Sequence, residues 1–218
     1  MTPMKRTETS RTARTTDSPT FGTSSHDRML HAAKSLFASQ GYENTSTVAI
    51  ARAAGTSESQ LMKHFGSKEG LLQAIFDHAW QKINQSVRQA LQGLASPTDK
   101  LNSLAVVLPT ALERDSELKL IFLLEARHVR KRGDIVALSQ GFMEFIGIFD
   151  AVLGDMRSAG QLRPGLNLQA VRSGLIGLFE GMLRDQLLAR RINYPAHYSS
   201  KEVGDVFNTA LRSLLSNE

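Results

Sequence analysis

Residues 45–70 read TSTVAIARAAGTSESQLMKHFGSKEG, and the fold follows from them. Ser46 or Thr47 can cap a short helix running to Ala54, with Ile50, Ala51 and Ala54 on one face. Gly55 stops that helix. Ser57-x-x-Gln60 has the spacing of a capping box and opens a second short helix that ends near Phe65 and Gly66. Ala51 is small enough for two helices to cross closely, while Ile50, Ala54, Leu61 and Phe65 supply a miniature core. Two short helices joined by a tight glycine turn are the pattern of a helix-turn-helix, whose second helix enters the DNA major groove. Hydroxyls and free backbone N–H groups at helix starts (Thr47, Ser57, Ser59 and Gln60 here) suit phosphate oxygens.

Working outward, the helical period persists nearly everywhere. Met29, Leu30, Ala33, Leu36 and Phe37 recur at spacings of three and four until Gly41. Ser67 caps a long helix carrying Leu72, Ile75, Phe76, Ala79, Trp80, Ile83, Val87, Leu91 and Leu94, which Pro97 breaks. Leu101, Leu104, Ala105 and Leu108 continue the pattern up to Pro109, where that helix is expected to stop. Further helices are predicted from about 116 to 132 and from about 135 to 156. Asn167 caps another reaching about Arg191, and Ser199-x-x-Glu202 opens the last. No alternating strand pattern and no internal repeat appears, so the fold class is all-α.

Composition limits the function. The 218 residues include no cysteine, which excludes disulfides, thiolate zinc sites, iron–sulfur clusters and a cysteine redox sensor. No run approaches the roughly 18 apolar residues of a membrane span. The net charge of +5 is spread without a polybasic stripe, so charge alone does not identify a nucleic-acid binder. Residues 1–25 hold eight Thr and four Ser with Lys5, Arg6, Arg11 and Arg14, and read as a disordered basic tail. Such a tail is a solvated extension, a stretch ahead of a later start at Met4 or Met29, or an arm that touches DNA; Glu8 and Asp17 argue against a transit peptide. No Ser/His/Asp order, metal-ligand spacing or glycine-rich phosphate loop is present, so neither an enzyme nor a cofactor is expected.

The stretch from about Arg28 to Phe76 resembles the DNA-binding domain of the TetR family of bacterial transcriptional regulators. The matching residues are Ala32-Ala33, Leu36-Phe37, Gly41-Tyr42, Thr45, Ile50-Ala51, Ala54-Gly55, Ser57, Leu61, His64-Phe65, Ser67-Lys68-Glu69 and Leu71-Leu72. The resemblance implies a three-helix DNA-binding domain over 26–70, then a larger helical effector-binding and dimerisation domain over 71–218. It implies a cytoplasmic, nucleoid-associated regulator, a repressor of a palindromic operator on double-stranded DNA. The alternative is an architectural or protein-recruiting DNA-binding factor without a small-molecule ligand.

Carried over by position, Ser46 and Thr47 would meet phosphate, and His64 and Lys68 would reach the backbone. Ser57, Glu58, Ser59, Gln60 and Lys63 would lie in or beside the groove. Gln60 is the residue expected to read a base, since its amide pairs bidentately with adenine. The family commonly has Gly-Thr at Ser59-Gln60, Tyr at Met62 and an apolar residue at Thr56, so the base-contact set differs here. Taken alone, Ser57 is a cap, Lys68 and Glu69 are solvated charges, and His64 packs on Phe65.

The same resemblance puts a two-fold interface on the last two helices, with a second copy of the chain. Residues for it are Gly174, Gly177 and Gly181, a row of small residues, and the stripe Val203, Phe207, Leu211 and Leu214. A pocket for a small apolar or amphipathic effector is expected behind Trp80, Phe122, Phe142, Phe145, Phe149, Phe179 and Met182, with Glu125, His128 or Arg184 as polar anchors. Aromatic residues at helical spacing also serve as plain core. The basic run Arg127, Arg130, Lys131 and Arg132 reads as a solvated helix end.

Overall fold

Ser24 caps the first helix. Its side chain accepts from the Asp27 backbone N–H at 3.1 Å while the Asp27 carboxylate accepts from the Ser24 N–H at 3.3 Å, closing a capping box. A computed structural model describes residues 24–125 and 139–216, apart from the side chains of residues 124, 125 and 200. The segment 1–23, His128, the run Arg127 to Arg132 and the side chain of Glu125 lie outside that description.

Nine helices occur among the described residues: α1 Ser25–Gln40, α2 Thr47–Ala53, α3 Glu58–Phe65, α4 Lys68–Leu91, α5 Pro97–Arg114, α6 Ser116–Glu125, α7 Gln140–Ser158, α8 Leu168–Ile192 and α9 Ser200–Ser213. There is no strand among the described residues; a single antiparallel bridge joins Leu162 and Leu215. No helix among the described residues is long and apolar enough to cross a membrane. The fold is all-α, with a helix-turn-helix unit at the start and a larger helical body after it.

The link between the two is α4. Its buried stripe, Leu71, Leu72, Ile75, Phe76, Trp80, Ile83, Asn84 and Val87, packs at one end against α1 and α3 and at the other against α5 and α7. One continuous apolar cluster therefore runs from Met29 of α1 to Leu211 of α9. At the centre, the carbonyl of Gly141 accepts from Asn84 Nδ2 at 2.8 Å, and a Cβ added to Gly141 would lie 2.5 Å from the Trp80 Cβ. Only glycine permits this approach of α7 to α4.

Three expectations change. Pro109 does not end its helix: α5 continues to Arg114 with Pro109 inside it. Losing one backbone bond is outweighed there by a buried stripe, Leu101, Leu104, Leu108 and Leu112, that extends past the proline on both sides. The next break falls at Asp115, whose carboxylate accepts from the Leu118 N–H at 2.9 Å. The helix expected from 135 begins instead at Gln140, because Ser139 is extended and its hydroxyl caps Phe142. The tail expected over 1–25 overlaps the fold by two residues, Ser24 as cap and Ser25 as the first helical residue.

Candidate nucleic-acid interface

The turn between α2 and α3 has a specific cause. Thr56 N–H bonds the Ala51 carbonyl at 2.9 Å and Gly55 N–H bonds the Arg52 carbonyl at 3.2 Å. This pair of reverse bonds is a Schellman motif, and it needs a left-handed residue, here Gly55 at φ 66°. Ser46 then caps α2 through the Ala49 N–H, and Ser57 caps α3 through the Gln60 N–H at 3.2 Å. The reciprocal half of the predicted box at Ser57 is not made; both halves are present only at α1 and α9 among the described helices.

Leu61 is the one fully buried residue of α3, and half-buried Phe65 packs beside it against the core. The outer face of α3 is therefore wholly solvent-facing: Glu58, Ser59, Gln60, Met62, Lys63 and His64 are all exposed. Ser46 and Ser57 are exposed on the same side of the unit, and Thr47 is half-buried. The structure thus brings the α2 and α3 starts together. Thr47 Oγ1 donates to Glu58 Oε1, tying the two helix N-termini to each other. His64 edges onto His26 of α1, with ring centres 6.0 Å apart.

Lys68 is placed differently from its neighbours. Its ammonium turns inward, donating to the carbonyls of Tyr42 at 2.9 Å and Thr45 at 3.2 Å, and sits over the Tyr42 ring. Thr45 is buried and its hydroxyl donates to the Gly41 carbonyl at 2.8 Å. The α1–α2 loop is thereby fastened to the start of α4. The family resemblance implied Lys68 as a cation reaching the DNA backbone, and nothing in its spacing signals this clamp.

Residues 29–75 match the family model described as bacterial regulatory proteins, tetR family. The helix-turn-helix unit therefore carries the DNA-binding domain of the TetR family. It is 23% identical over 158 residues to the fatty acid metabolism regulator protein of Bacillus subtilis, covering 70% of this chain and 78% of that one. It is 25% identical over 155 residues to the transcriptional repressor KstR2 of Mycolicibacterium smegmatis, covering 71% and 76%. Its fold matches the regulator FadR from Bacillus subtilis in complex with stearoyl-CoA, with TM-score 0.72 and 20% identity over 87% of this chain and 97% of that one. The chain is a helix-turn-helix DNA-binding transcriptional regulator.

The other expected sites fare unevenly within this TetR-type fold. Trp80 packs against Phe122, Phe142 and Phe145 with ring centres 5.2–5.7 Å apart, so these aromatics fill space rather than line it. The void beside Phe145, Phe149 and Phe179 is only about 20 Å³, room for about one water. Met182 is half-buried against the core, its carbonyl accepting from the Tyr198 hydroxyl at 2.8 Å. Arg184 Nε donates to the Leu123 carbonyl at 3.2 Å and so joins α8 to α6.

Val203, Phe207 and Leu211 are buried within their own chain, Phe207 edge-on to Phe179 at 6.5 Å, and Leu214 is half-buried. That stripe docks α9 on α8 within the chain, with Leu214 the most open of the four. Gly174 and Gly177 are exposed and Gly181 half-buried, and a Cβ added at any of the three meets nothing within 4 Å.

Among the described residues, a larger space lies elsewhere. A half-open cleft of about 1120 Å³ separates α1 from α4 above the α5–α6 corner. Its apolar floor includes Leu30, Ile75, Ile83 and Leu118, and its walls carry Arg28, Lys82 and Arg114. Sequence reading passed over it because each wall is the polar face of an amphipathic helix, which reads as solvated until two such faces meet.

Proposed function

We propose that the chain acts as a homodimeric repressor that holds a palindromic operator and leaves it when a small amphipathic effector binds. The observation that carries the reading is the outer face of α3, fully exposed from Glu58 to His64 and fixed on its core side by Leu61. A helix so presented fits the major groove, and the Ser46 and Ser57 starts of α2 and α3 fit flanking phosphates. In this reading Gln60 reads a base, and Ser59, Met62 and Lys63 lie along the groove. Lys68 sets the loop that positions α2, through its bonds to the Tyr42 and Thr45 carbonyls.

The second copy docks on the open face of α8, where Gly174, Gly177 and Gly181 let another helix approach closely. The relatives support an amphipathic effector: one is a fatty acid metabolism regulator, and FadR is known in complex with stearoyl-CoA. The cleft between the DNA-binding unit and the body gives an effector room to bind, which a DNA-binding factor without a ligand does not need.

The test is selection of bound fragments from sheared genomic DNA at physiological salt, followed by addition of stearoyl-CoA. A shared two-fold symmetric motif, released by the acyl thioester, supports the proposal. Retention without any motif, lost as salt rises, contradicts it.

A further inference from the structure

We propose that the effector site is the cleft between α1 and α4, and that it takes a ligand with an anionic head on an apolar body. This rests on the ligand-controlled reading above and places its site outside the aromatic core. Volume comes first: among the described residues, about 1120 Å³ is available here, against about 20 Å³ beside Phe145 and Phe149. Pockets that take drug-sized ligands measure roughly 300–1,000 Å³.

Chemistry decides the ligand class. The floor is apolar, formed by Leu30 of α1, Ile75 and Ile83 of α4, and Leu118 of α6. The walls carry Arg28, Lys34, Lys82 and Arg114 against two acids, Asp27 and Asp115. Asp27 is engaged in the α1 capping box, and Asp115 is paired with Lys34 at 2.7 Å. Lys82 acts on Asp115 and His78 only through space, and neither it nor Arg114 makes a hydrogen bond or ion pair with another described residue. Two unpaired cations flanking an apolar floor favour a ligand that brings a negative charge and an apolar surface together.

Position gives the consequence. The cleft has the DNA-binding unit on one wall, through α1 and Ala54 of the α2 end, and the body on the other. Lys34 crosses it, reaching Asp115 at 2.7 Å and Glu117 at 3.6 Å. An anionic head seated beside Lys34 competes with those two carboxylates for its ammonium. Wedging an apolar body between Leu30 and Ile83 then alters how α1 sits on α4. The ligand has unequal affinity for two orientations of the recognition helix, which is what allosteric release requires.

The test is calorimetric titration of the full chain with octyl phosphate, inorganic phosphate and octanol, in wild type and in the double variant Lys82→Glu/Arg114→Glu. Both residues are exposed and unbonded, so the variant keeps its fold, checked by its melting curve; Lys82→Gln serves if it does not. Octyl phosphate should bind once per chain, with inorganic phosphate and octanol at least tenfold weaker, and the double variant should lose at least tenfold. Lys201→Glu, on distant α9, should bind as wild type. Undiminished binding by the double variant, or inorganic phosphate binding as well as octyl phosphate, overturns the assignment. Operator release is read separately. If stearoyl-CoA releases DNA from the double variant as readily as from wild type, the cleft proposal falls and ligand control stands. If octyl phosphate fills the cleft while no amphiphile releases DNA, ligand control falls and the cleft remains a binding site.

Discussion

The ammonium of Lys68 stands 4.3 Å from the centre of the Tyr42 ring and donates to the Tyr42 carbonyl at 2.9 Å. One side chain thus fastens the α1–α2 loop to the start of α4, combining a charge-assisted hydrogen bond with a cation–π contact. The loop leads directly into the α2 cap, so Lys68 sets where the helix-turn-helix begins.

Lys68→Met should therefore destabilise the chain by about 1–3 kcal/mol, the usual range for losing hydrogen bonds to a charged group. Urea unfolding measures this. Operator affinity should drop for all sequences, while the slope of log affinity against log salt stays near wild type. A slope reduced by about one unit would instead mean that the ammonium neutralises a phosphate directly. Gln60→Ala should behave in the opposite way, keeping stability and relaxing preference at one base pair by about 1–3 kcal/mol.

Thr47 and Glu58 are bonded to each other across the α2 and α3 starts. A carboxylate beside phosphates is repulsive, and it holds the hydroxyl that would otherwise donate to one. Glu58→Gln should strengthen binding several-fold on every sequence, read by fluorescence anisotropy. A loss confined to sites with one particular base pair would show instead that Glu58 accepts from a cytosine.

The fold was legible where chemistry is local. Gly55, Ser57, Ser67, Asn167 and Ser199 announce helix ends because caps and left-handed turns use short-range hydrogen bonds that spacing reveals. Pro109 misled because packing of Leu108 and Leu112 is a tertiary matter and outweighs one missing backbone bond. The exposed face of α3 was legible from Leu61 and Phe65 alone. The cleft was not: Lys82 and Arg114 are ordinary surface cations until α1 and the α5–α6 corner are brought to them. The α9 stripe was legible as a buried face, and periodicity gives such a face without saying what covers it.

Gly141→Ala places a methyl where the Trp80 Cβ already is, 2.5 Å away. Overpacking of this kind costs about 1–3 kcal/mol. The melting temperature should fall, with altered emission from Trp80, the chain's single tryptophan. Asn84 holds the same junction through the Gly141 carbonyl, so Asn84→Ala should lower stability without a clash.

Gly177 lies on the open face of α8, where an added side chain meets nothing within its own chain. Gly177→Glu should fold as well as wild type, since glycine inside a helix costs about 1 kcal/mol relative to alanine. It should sediment as a monomer and bind a half-site only weakly. A dimer that persists would move the interface off this face.

Acid should unfold the chain progressively. Hydrogen bonding to Ser24 holds the Asp27 carboxyl below its ordinary value, and the Ser199 N–H does the same for Glu202. Asp115 is pushed up by burial, yet bonds from Lys34 and the Leu118 N–H together bring it below the ordinary value. An acid held low stabilises the fold above its unfolded pKa of about 4, and that contribution disappears as pH falls through the lowered value. Burial and Lys82 lower the His78 pKa, so the folded chain binds fewer protons there and loses stability as pH drops through about 6.5. Urea midpoints should decline first around pH 6.5 and again below pH 4. Asp115→Asn should flatten only the lower step.

Hydroxyl-radical footprinting of a selected operator tests the central claim most directly, because it counts recognition helices on the DNA. Two protected patches related by two-fold symmetry, about one helical turn or a multiple of it apart, are predicted, and both should vanish together on adding effector. A single patch, or even protection along the whole fragment, would contradict a dimer that sets one α3 helix in each half-site.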